Sequence, residues 1–166
     1  MNPDMLTYQQ IIEKRIPLEE ALKRFSPSFR NSRRIVFTNG CFDVLHRGHI
    51  YYLSRARELG DVLVVGLNSD ASVTRLKGPG RPVNNLEARA EVLGALAFVD
   101  YIIVFAEETP LHLITLLAPD VLVKGGDYSR EEIVGSREVT AQGGQVVTIP
   151  LLEGYSSSSI IDRNKP

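Results

Sequence analysis

Short apolar runs alternate along this chain with segments of helical periodicity, and this alternation limits the possible folds more than any other feature. The runs have the length of buried strands and lie at 35–38, 61–67, 101–105, 121–123 and 146–149. The helical patterns between them lie at 48–59, 70–76, 86–98, 110–118 and 131–142. Such alternation indicates βα units, with right-handed crossovers that put helices on both faces of a parallel sheet. We therefore predict an α/β, doubly wound, Rossmann-like fold with a five-stranded parallel sheet.

Two further segments flank this alternation. Before it, apolar residues recur at roughly helical spacing on both sides of Pro17: Ile11, Ile12, Leu18, Leu22 and Phe25. They predict one helix, or two short ones, in an N-terminal helical extension over residues 1–30, followed by a single domain over 31–166. A last helix is expected to start within Ser156–Ser159.

Charge and composition exclude several classes of protein. The net charge of −1 provides no overall positive field for nucleic acid. No run approaches eighteen apolar residues, so we expect no membrane span. The single cysteine, Cys41, cannot form an intramolecular disulfide and suits a reducing compartment. The first ten residues do not have the pattern of a secretory signal. We therefore expect a cytoplasmic protein.

The predicted fold indicates where a ligand binds. In doubly wound sheets, ligands lie beyond the carboxyl ends of the strands, where the winding direction reverses. Two loops follow strands at that edge. They are NGCFDVLHRGH, after the first predicted strand, and KGGDY, after the fourth.

The segment His46-Arg47-Gly48-His49 carries the clearest chemical signal. Two histidines three residues apart at the start of a helix project from the same side, and Gly48 leaves room for a ligand near the backbone. The helix N-terminus adds unpaired N–H donors, so the loop suits a triphosphate. Structural histidines, or a zinc site with Cys41, are the alternatives, but such a zinc site lacks a fourth ligand. His112, alone in a helix, is expected to be structural.

Four segments together resemble a known family. From Ile35 onward, TNGCFDVLHRGH, SVTRLKGPGRPVN, PDVLVKGGDY and EGYSSSSII are similar to the adenylyltransferase domain of bacterial ADP-heptose synthases. That domain belongs to the cytidylyltransferase-like nucleotidyltransferases, whose hallmark is the HxGH loop. The resemblance implies a nucleotidyltransferase fold. It implies an enzyme that converts ATP and D-glycero-β-D-manno-heptose 1-phosphate into ADP-heptose and pyrophosphate. It also implies Mg²⁺ with the ATP, and a role in lipopolysaccharide or other surface glycans.

Partners follow from the same resemblance. In many relatives the domain is fused to a sugar kinase, whereas these 166 residues leave no room for one. A separate heptose kinase is therefore expected to make the substrate. We further expect a homodimer that binds neither nucleic acid nor membrane.

The resemblance assigns roles to residues near the HxGH loop. His46 and His49 bind the nucleotide phosphates as catalytic residues, with the nucleotide also lying along Asn39, Gly40, Cys41, Phe42 and Gly48. Asp43 holds the substrate or Mg²⁺, unless it is only a turn residue. Lys77 is expected to reach the α-phosphate, with Arg75 and Arg81 as weaker alternatives. Arg89 resembles a substrate-phosphate arginine, although a surface ion pair is also plausible.

Later segments complete the expected nucleotide site. Gly125 and Gly126 allow close passage of the base and ribose, and Asp127 can accept a hydrogen bond from either. Gly154 precedes the serines Ser156, Ser157 and Ser158, whose hydroxyls suit the β- and γ-phosphates or simply cap a helix.

Other functions stay open. Leu151-Leu152 stands where glycerol-3-phosphate cytidylyltransferases have an arginine, which favours the heptose branch. The alternatives are a cytidylyltransferase acting on glycerol 3-phosphate or another small phosphate ester, and a non-catalytic nucleotide-binding protein.

Overall fold

The computed structural model describes residues 6–126 and 128–163. Helices precede the first strand: α1 (Tyr8–Glu13), α2 (Leu18–Arg24) and α3 (Pro27–Arg30). The strands are β1 (Ile35–Gly40), β2 (Val62–Asn68), β3 (Tyr101–Phe105), β4 (Val121–Gly125) and β5 (Gln145–Ile149). The helices between and after them are α4 (Arg47–Arg57), α5 (Asp70–Lys77), α6 (Leu86–Gly94), α7 (Leu111–Leu117), α8 (Ser136–Ala141) and α9 (Ser157–Arg163).

The strands form one parallel sheet in the order β3-β2-β1-β4-β5. The chain winds outward from β1 to β3 and then returns to the other side of β1 to add β4. The winding direction therefore reverses between β1 and β4, and a crevice opens there at the carboxyl edge. This confirms the predicted α/β, doubly wound, five-stranded fold.

Alternate side chains of each strand point to opposite faces, and each face packs its own core. On one face Phe37, Val64 and Leu122 pack with apolar residues of α2, α7 and α8. On the other, Val36 and Val65 pack with residues of α4 and α6. Because both faces are covered, all seven residues of β2 are buried, which explains its continuous apolar run.

The N-terminal helices are part of the main core. Ile16, Ala21 and Phe25 are buried in the same cluster as residues of the sheet. Residues beside Pro17 also pair with the edge strand β3, since Ile16 N donates to Ile102 O at 3.0 Å and Ile102 N donates to Lys14 O at 2.8 Å. The predicted break at Pro17 therefore separates two short helices around a β-bridge.

Three boundaries differ from the sequence-based expectation. The polar connector contains the short helix α3, which starts at Pro27, a residue suited to the first turn. Helix α6 ends at Gly94 because the chain then turns through bonds such as Val99 N to Leu96 O. The helical pattern at 131–142 is divided by Gly135, whose φ of 87° starts α8 after a 3₁₀ turn at Arg130–Glu132.

Within the described ranges, none of the helices combines the length and the apolar character required to cross a bilayer.

Candidate active site

The HxGH loop places two imidazoles face to face at the start of α4. His46 is the residue before the helix, and the His49 amide donates to His46 O at 2.9 Å. The rings stack with centroids 3.8 Å apart and an interplanar angle of 22°. Gly48 permits this arrangement, because a Cβ there would lie 3.0 Å from the His46 ring and 3.2 Å from Cβ of Tyr155.

Both imidazoles are neutral near pH 7. Burial lowers the pKa of His46. Burial and the neighbouring His46 lower the pKa of His49 to about 4. The Nδ1 atoms of both rings are buried and have no hydrogen-bond partner among the described residues. A neutral ring protonated on Nε2 carries its one N–H donor on the side of the imidazole away from the buried Nδ1.

Phe42 lies just after β1 and contacts one of the two histidines. Phe42 has a left-handed backbone with φ of 44°, an uncommon conformation for a residue other than glycine. Its ring packs back over Gly40, where an added Cβ would lie only 2.9 Å from Cε2 of Phe42. The same ring meets His49 edge-on, with centroids 5.1 Å apart. Phe42 therefore supports the histidine pair from the core side.

Asp43 holds the loop between α5 and α6 in place. Its carboxylate accepts from the amides of Val83 (2.8 Å) and Asn84 (2.9 Å), and from Nε of Arg81 (2.6 Å). Burial would raise the pKa of Asp43, but the Asn84 amide, the Arg81 guanidinium and the Val83 amide together hold it below its ordinary value. These three donors occupy the carboxylate. The geometry therefore favours the turn interpretation over the expected substrate contact or direct Mg²⁺ ligand.

The side chain of Arg89 is buried, which differs from the expected role in binding a substrate phosphate. Its guanidinium donates to the carbonyl oxygens of Cys41 (2.7 Å), Asn68 (2.8 Å) and Asn84 (3.1 Å), and pairs with Asp70 at 2.7 Å. Since Arg89 is only 2% exposed and its donors are engaged, it joins the ends of β1 and β2 to the loop before α6. It is not a surface ion pair either.

Lys77 and Lys124 bring two positive charges to the crevice. Lys77 ends α5, and Lys124 lies one residue before the end of β4. Burial is the main reason why the pKa of Lys124 lies below its ordinary value; Cys41 opposes this shift and the charge of Lys77 adds to it. The sequence analysis did not identify Lys124. Its position near the end of β4, beside the point where the winding direction reverses, was a usable signal of a ligand contact.

The alternative arginines near Lys77 are engaged elsewhere. Arg75 donates to the carbonyl of Ala106, and Arg81 is committed to Asp43. Among the three cations considered for the α-phosphate, Lys77 is the one that both lines the cleft and has no ion pair in the described structure.

The opposite wall comes from β4 and the start of α9. Ser157 Oγ donates to the carbonyl of Val44 at 2.8 Å, which fastens α9 to the HxGH loop. Ser156 Oγ accepts from the Ser159 amide at 3.1 Å, so it caps the helix as expected. Tyr155 also contacts this loop, since Arg47 Nη1 donates to its hydroxyl at 3.3 Å.

These segments enclose a cleft of about 460 Å³, within the usual range for a small-molecule site. Most of the predicted residues line it: Asn39, Gly40, Cys41, Phe42, Asp43, His46, Gly48, His49, Lys77, Gly125, Ser156, Ser157 and Ser158. Gly126 and Gly154 lie outside this lining, and both have positive φ, which indicates turns. The predicted contact of Asp127 falls outside the described residues.

A zinc site does not fit this cleft. No group of three or more His, Cys, Asp or Glu side chains within residues 6–126 and 128–163 is arranged to hold a metal ion. Burial also raises the pKa of the Cys41 thiol, which disfavours the thiolate form that zinc requires.

Comparison with known proteins gives a family match. The family described as cytidylyltransferase-like matches residues 37–163. Among curated proteins, the bifunctional protein HldE of Syntrophotalea carbinolica is 52% identical over 152 residues, which are 91% of this chain and 31% of that protein. HldE of Nitrobacter hamburgensis is 57% identical over 141 residues, 85% of this chain and 29% of that protein. The chain thus spans less than a third of the length of these relatives.

Solved structures support the fold. The lipopolysaccharide core biosynthesis protein from Thermoplasma volcanium is 28% identical, with a TM-score of 0.59 over 75% of this chain and 99% of that chain. Pantothenate synthetase from Thermus thermophilus has a TM-score of 0.55 at 18% identity, over 89% of this chain and 70% of that one. The second likeness concerns the fold alone.

Proposed function

The chain belongs to the cytidylyltransferase-like family, and from this premise we propose that it transfers AMP from ATP to D-glycero-β-D-manno-heptose 1-phosphate. The products are ADP-heptose and pyrophosphate. The observation that carries the proposal is the stacked, neutral pair His46 and His49, which opens α4 in a cleft that also contains Lys77. The identity of 52% to HldE, and the likeness to a lipopolysaccharide core biosynthesis protein, favour the heptose substrate.

The reaction needs little proton transfer. A phosphate oxygen of the sugar phosphate attacks the α-phosphorus of ATP, while the bond from this phosphorus to the oxygen that bridges to the β-phosphate breaks. The bonding electrons leave with pyrophosphate. Because the attacking oxygen is already anionic at neutral pH, no general base is required. Catalysis then consists of positioning and of stabilising the charge that grows on the phosphates.

The residues of the cleft suit these tasks. In the proposal, His46 and His49 donate hydrogen bonds to the triphosphate, and Lys77 holds the α-phosphate as its charge changes. Ser156 and Ser158 bind the β- and γ-phosphates through their hydroxyls, and Ser157 does so through its backbone N–H, because its hydroxyl donates to Val44. Asn39, Gly40, Cys41, Phe42 and Gly48 contact the nucleotide from the HxGH side, and Gly125 contacts it from the end of β4. The contacts expected of Gly126 and Gly154, which lie outside the lining of the cleft, and of Asp127 stay predictions.

Magnesium enters this proposal with the nucleotide. Mg²⁺ commonly binds through substrate phosphates and water with only one or two protein carboxylates. The Asp43 carboxylate, which the sequence suggested as a ligand, is already held by Arg81 and two amides. We therefore treat Mg²⁺ as part of the ATP substrate, and no protein ligand is assigned to it.

The alternative functions are less well supported. A cytidylyltransferase acting on glycerol 3-phosphate is disfavoured by Leu151 and Leu152, which line the cleft where that branch has a cation. A non-catalytic nucleotide-binding protein would need no second substrate, so pyrophosphate release that depends on an acceptor distinguishes it from the enzyme. The separate heptose kinase, the homodimer and the cytoplasmic location stay predictions.

The proposal is tested by measuring pyrophosphate release from purified protein with ATP, CTP, GTP and UTP, each against several phosphates. The acceptors are heptose 1-phosphate, glycerol 3-phosphate and other sugar phosphates. We expect turnover with ATP and heptose 1-phosphate well above every other pair, and none without an acceptor. Turnover that prefers CTP with glycerol 3-phosphate, or tight ATP binding without turnover, would contradict the proposal.

A further inference from the structure

A second cavity opens beside the cleft. It measures about 250 Å³ and shares four lining residues with the cleft: Asn39, Asn68, Leu76 and Lys124. These residues lie at the carboxyl ends of β1, β2 and β4 and in the last turn of α5. We call this cavity the side pocket. Since its wall is shared, a ligand there lies next to whatever occupies the cleft.

Lys124 is the charged group on that shared wall. It is half-buried, and no described side chain forms an ion pair or hydrogen bond with its ammonium. Removing a cation from water without a partner is costly, so such a group is normally matched by an anion. Lys77 lies near enough for its charge to influence Lys124, which makes the junction of the two cavities doubly positive.

The rest of the side pocket is chemically suited to a polyhydroxylated chain. Asn39, Glu108, Tyr128 and Glu132 bring amide, carboxylate and phenol groups to its lining. Glu132 already accepts from Ser129 Oγ at 2.8 Å, which keeps its carboxylate in a defined position. Apolar side chains such as Phe105 supply the remaining surface. Alternating hydroxyls and C–H groups of a sugar match this mixture of donors, acceptors and apolar area.

This inference rests on the proposed function: we propose that the side pocket binds the sugar of the acceptor and that Lys124 binds its phosphate. In an in-line transfer, the acceptor phosphate must approach within about 3–3.5 Å of the α-phosphorus. Two anions then repel each other, and the repulsion is offset if each has its own cation. Lys77 serves the nucleotide, and Lys124 serves the acceptor. The junction of the two cavities is where the new bond forms.

Binding measurements on the full chain test the assignment without requiring turnover. Calorimetry gives two dissociation constants for each variant. One is for an ATP analogue with a methylene group between the α- and β-phosphates, and the other is for heptose 1-phosphate added to the protein saturated with that analogue. The variants are Lys124→Gln, Thr109→Trp, which fills the exposed rim of the side pocket, and the matched control Lys23→Gln on the surface of α2.

We expect Lys124→Gln and Thr109→Trp each to weaken heptose 1-phosphate binding by at least about tenfold. The first variant loses a charged hydrogen bond to the phosphate, and the second loses space for the sugar. The affinity for the ATP analogue should change less than about twofold, and Lys23→Gln should change neither affinity. Unchanged heptose 1-phosphate binding in Lys124→Gln would overturn the assignment. An equal loss of analogue binding would also overturn it, since Lys124 would then serve the nucleotide.

Wild-type turnover separates this inference from the proposed function. If the wild type releases pyrophosphate with heptose 1-phosphate while Lys124→Gln binds the sugar normally, only the inference fails. If the wild type binds the ATP analogue but neither binds nor turns over heptose 1-phosphate, the proposed function fails and the inference fails with it.

Discussion

At the scale of single residues, the two histidines are uncharged and can still donate hydrogen bonds. A half-buried, stacked pair disfavours positive charge, so both rings remain neutral at physiological pH. A neutral imidazole still offers one N–H donor. It gains strength as a donor where charge grows on a phosphate, because the attraction increases with that charge. The pair therefore suits phosphoryl transfer better than acid–base catalysis.

Replacement of His49 tests that role. We expect His49→Ala to lower kcat by at least about a hundredfold, because a donor to the transition state is lost. His112→Ala provides the matched control, since His112 is exposed on α7, away from the cleft. Steady-state pyrophosphate release measures both variants, and circular dichroism checks that they fold. Near-normal kcat in His49→Ala would remove this imidazole from the mechanism.

The depressed pKa of His49 predicts a pH-dependent stability. In the unfolded chain His49 binds a proton near pH 6.5, whereas in the folded protein it does so only at about 4. Between these values the unfolded state holds more protons, so the free energy of unfolding decreases as pH falls. The difference between the two pKa values corresponds to roughly 3 kcal/mol in the free energy of unfolding, and this amount is fully lost near pH 4.

Urea unfolding at pH 7.5 and at acid pH measures this contribution, with the wild type compared with His49→Gln and His112→Gln. The loss of stability at acid pH should be smaller in His49→Gln by roughly that amount and unchanged in His112→Gln. Equal acid sensitivity in all three proteins would show that the burial of His49 does not determine this effect.

At the scale of elements, buried charges assemble the loops around the cleft. Arg89 on α6 binds carbonyl oxygens from the ends of β1 and β2, and Asp43 binds the loop between α5 and α6. These connections tie the HxGH loop to the segment that follows Lys77. A change at either residue should therefore alter the geometry of the cleft without touching the substrate.

Arg89→Met is expected to lower the free energy of unfolding by about 3–5 kcal/mol, because buried carbonyl oxygens and Asp70 lose their partner. Arg15→Met is the matched control. Arg15 pairs with Glu87 at the surface, and such pairs contribute about 1 kcal/mol or less. Urea unfolding of both variants measures the difference. A loss in Arg89→Met no larger than that in Arg15→Met would contradict the positioning role.

At the scale of the whole molecule, the N-terminal helices complete one side of the core. Phe25 is 3% exposed and packs against Phe29 and Tyr101, with ring centroids 5.2 Å apart in both pairs. Arg30 caps the end of α7 through the carbonyl of Ala118 at 2.9 Å. The helices of residues 6–30 and the sheet are therefore expected to unfold together.

This cooperativity predicts the effect of a substitution far from the cleft. Phe25→Ala should destabilise the whole chain by about 3–5 kcal/mol, as for other buried aromatic residues. Leu22→Ala, on α2 just before Phe25 but 37% exposed, should cost much less. Urea unfolding followed by far-ultraviolet circular dichroism measures both. A separate early transition in Phe25→Ala would contradict a single folding unit.

The sequence by itself determined the order of strands and helices, the parallel sheet and the HxGH loop at the switch point. Apolar periodicity encodes which face of each segment is buried, and Gly48 next to His46 and His49 is a local pattern. The predicted roles that the geometry does not favour belong to side chains that meet a distant part of the chain. Arg89 reaches Cys41, 48 residues away, and Asp43 reaches Arg81, 38 residues away.

Only the tertiary structure decided which charged residues are used inside the protein and which remain available to a ligand. Arg81 and Lys124 lie next to glycines and Arg89 lies within a helix, and these positions do not show which of the three cations has a partner in the folded protein. Folding buries Arg89 among carbonyl oxygens and pairs Arg81 with Asp43, whereas Lys124 has no ion pair with any described residue and lies between two cavities. Hydrogen-bond partners depend on three-dimensional proximity, which the order of residues along the chain does not specify.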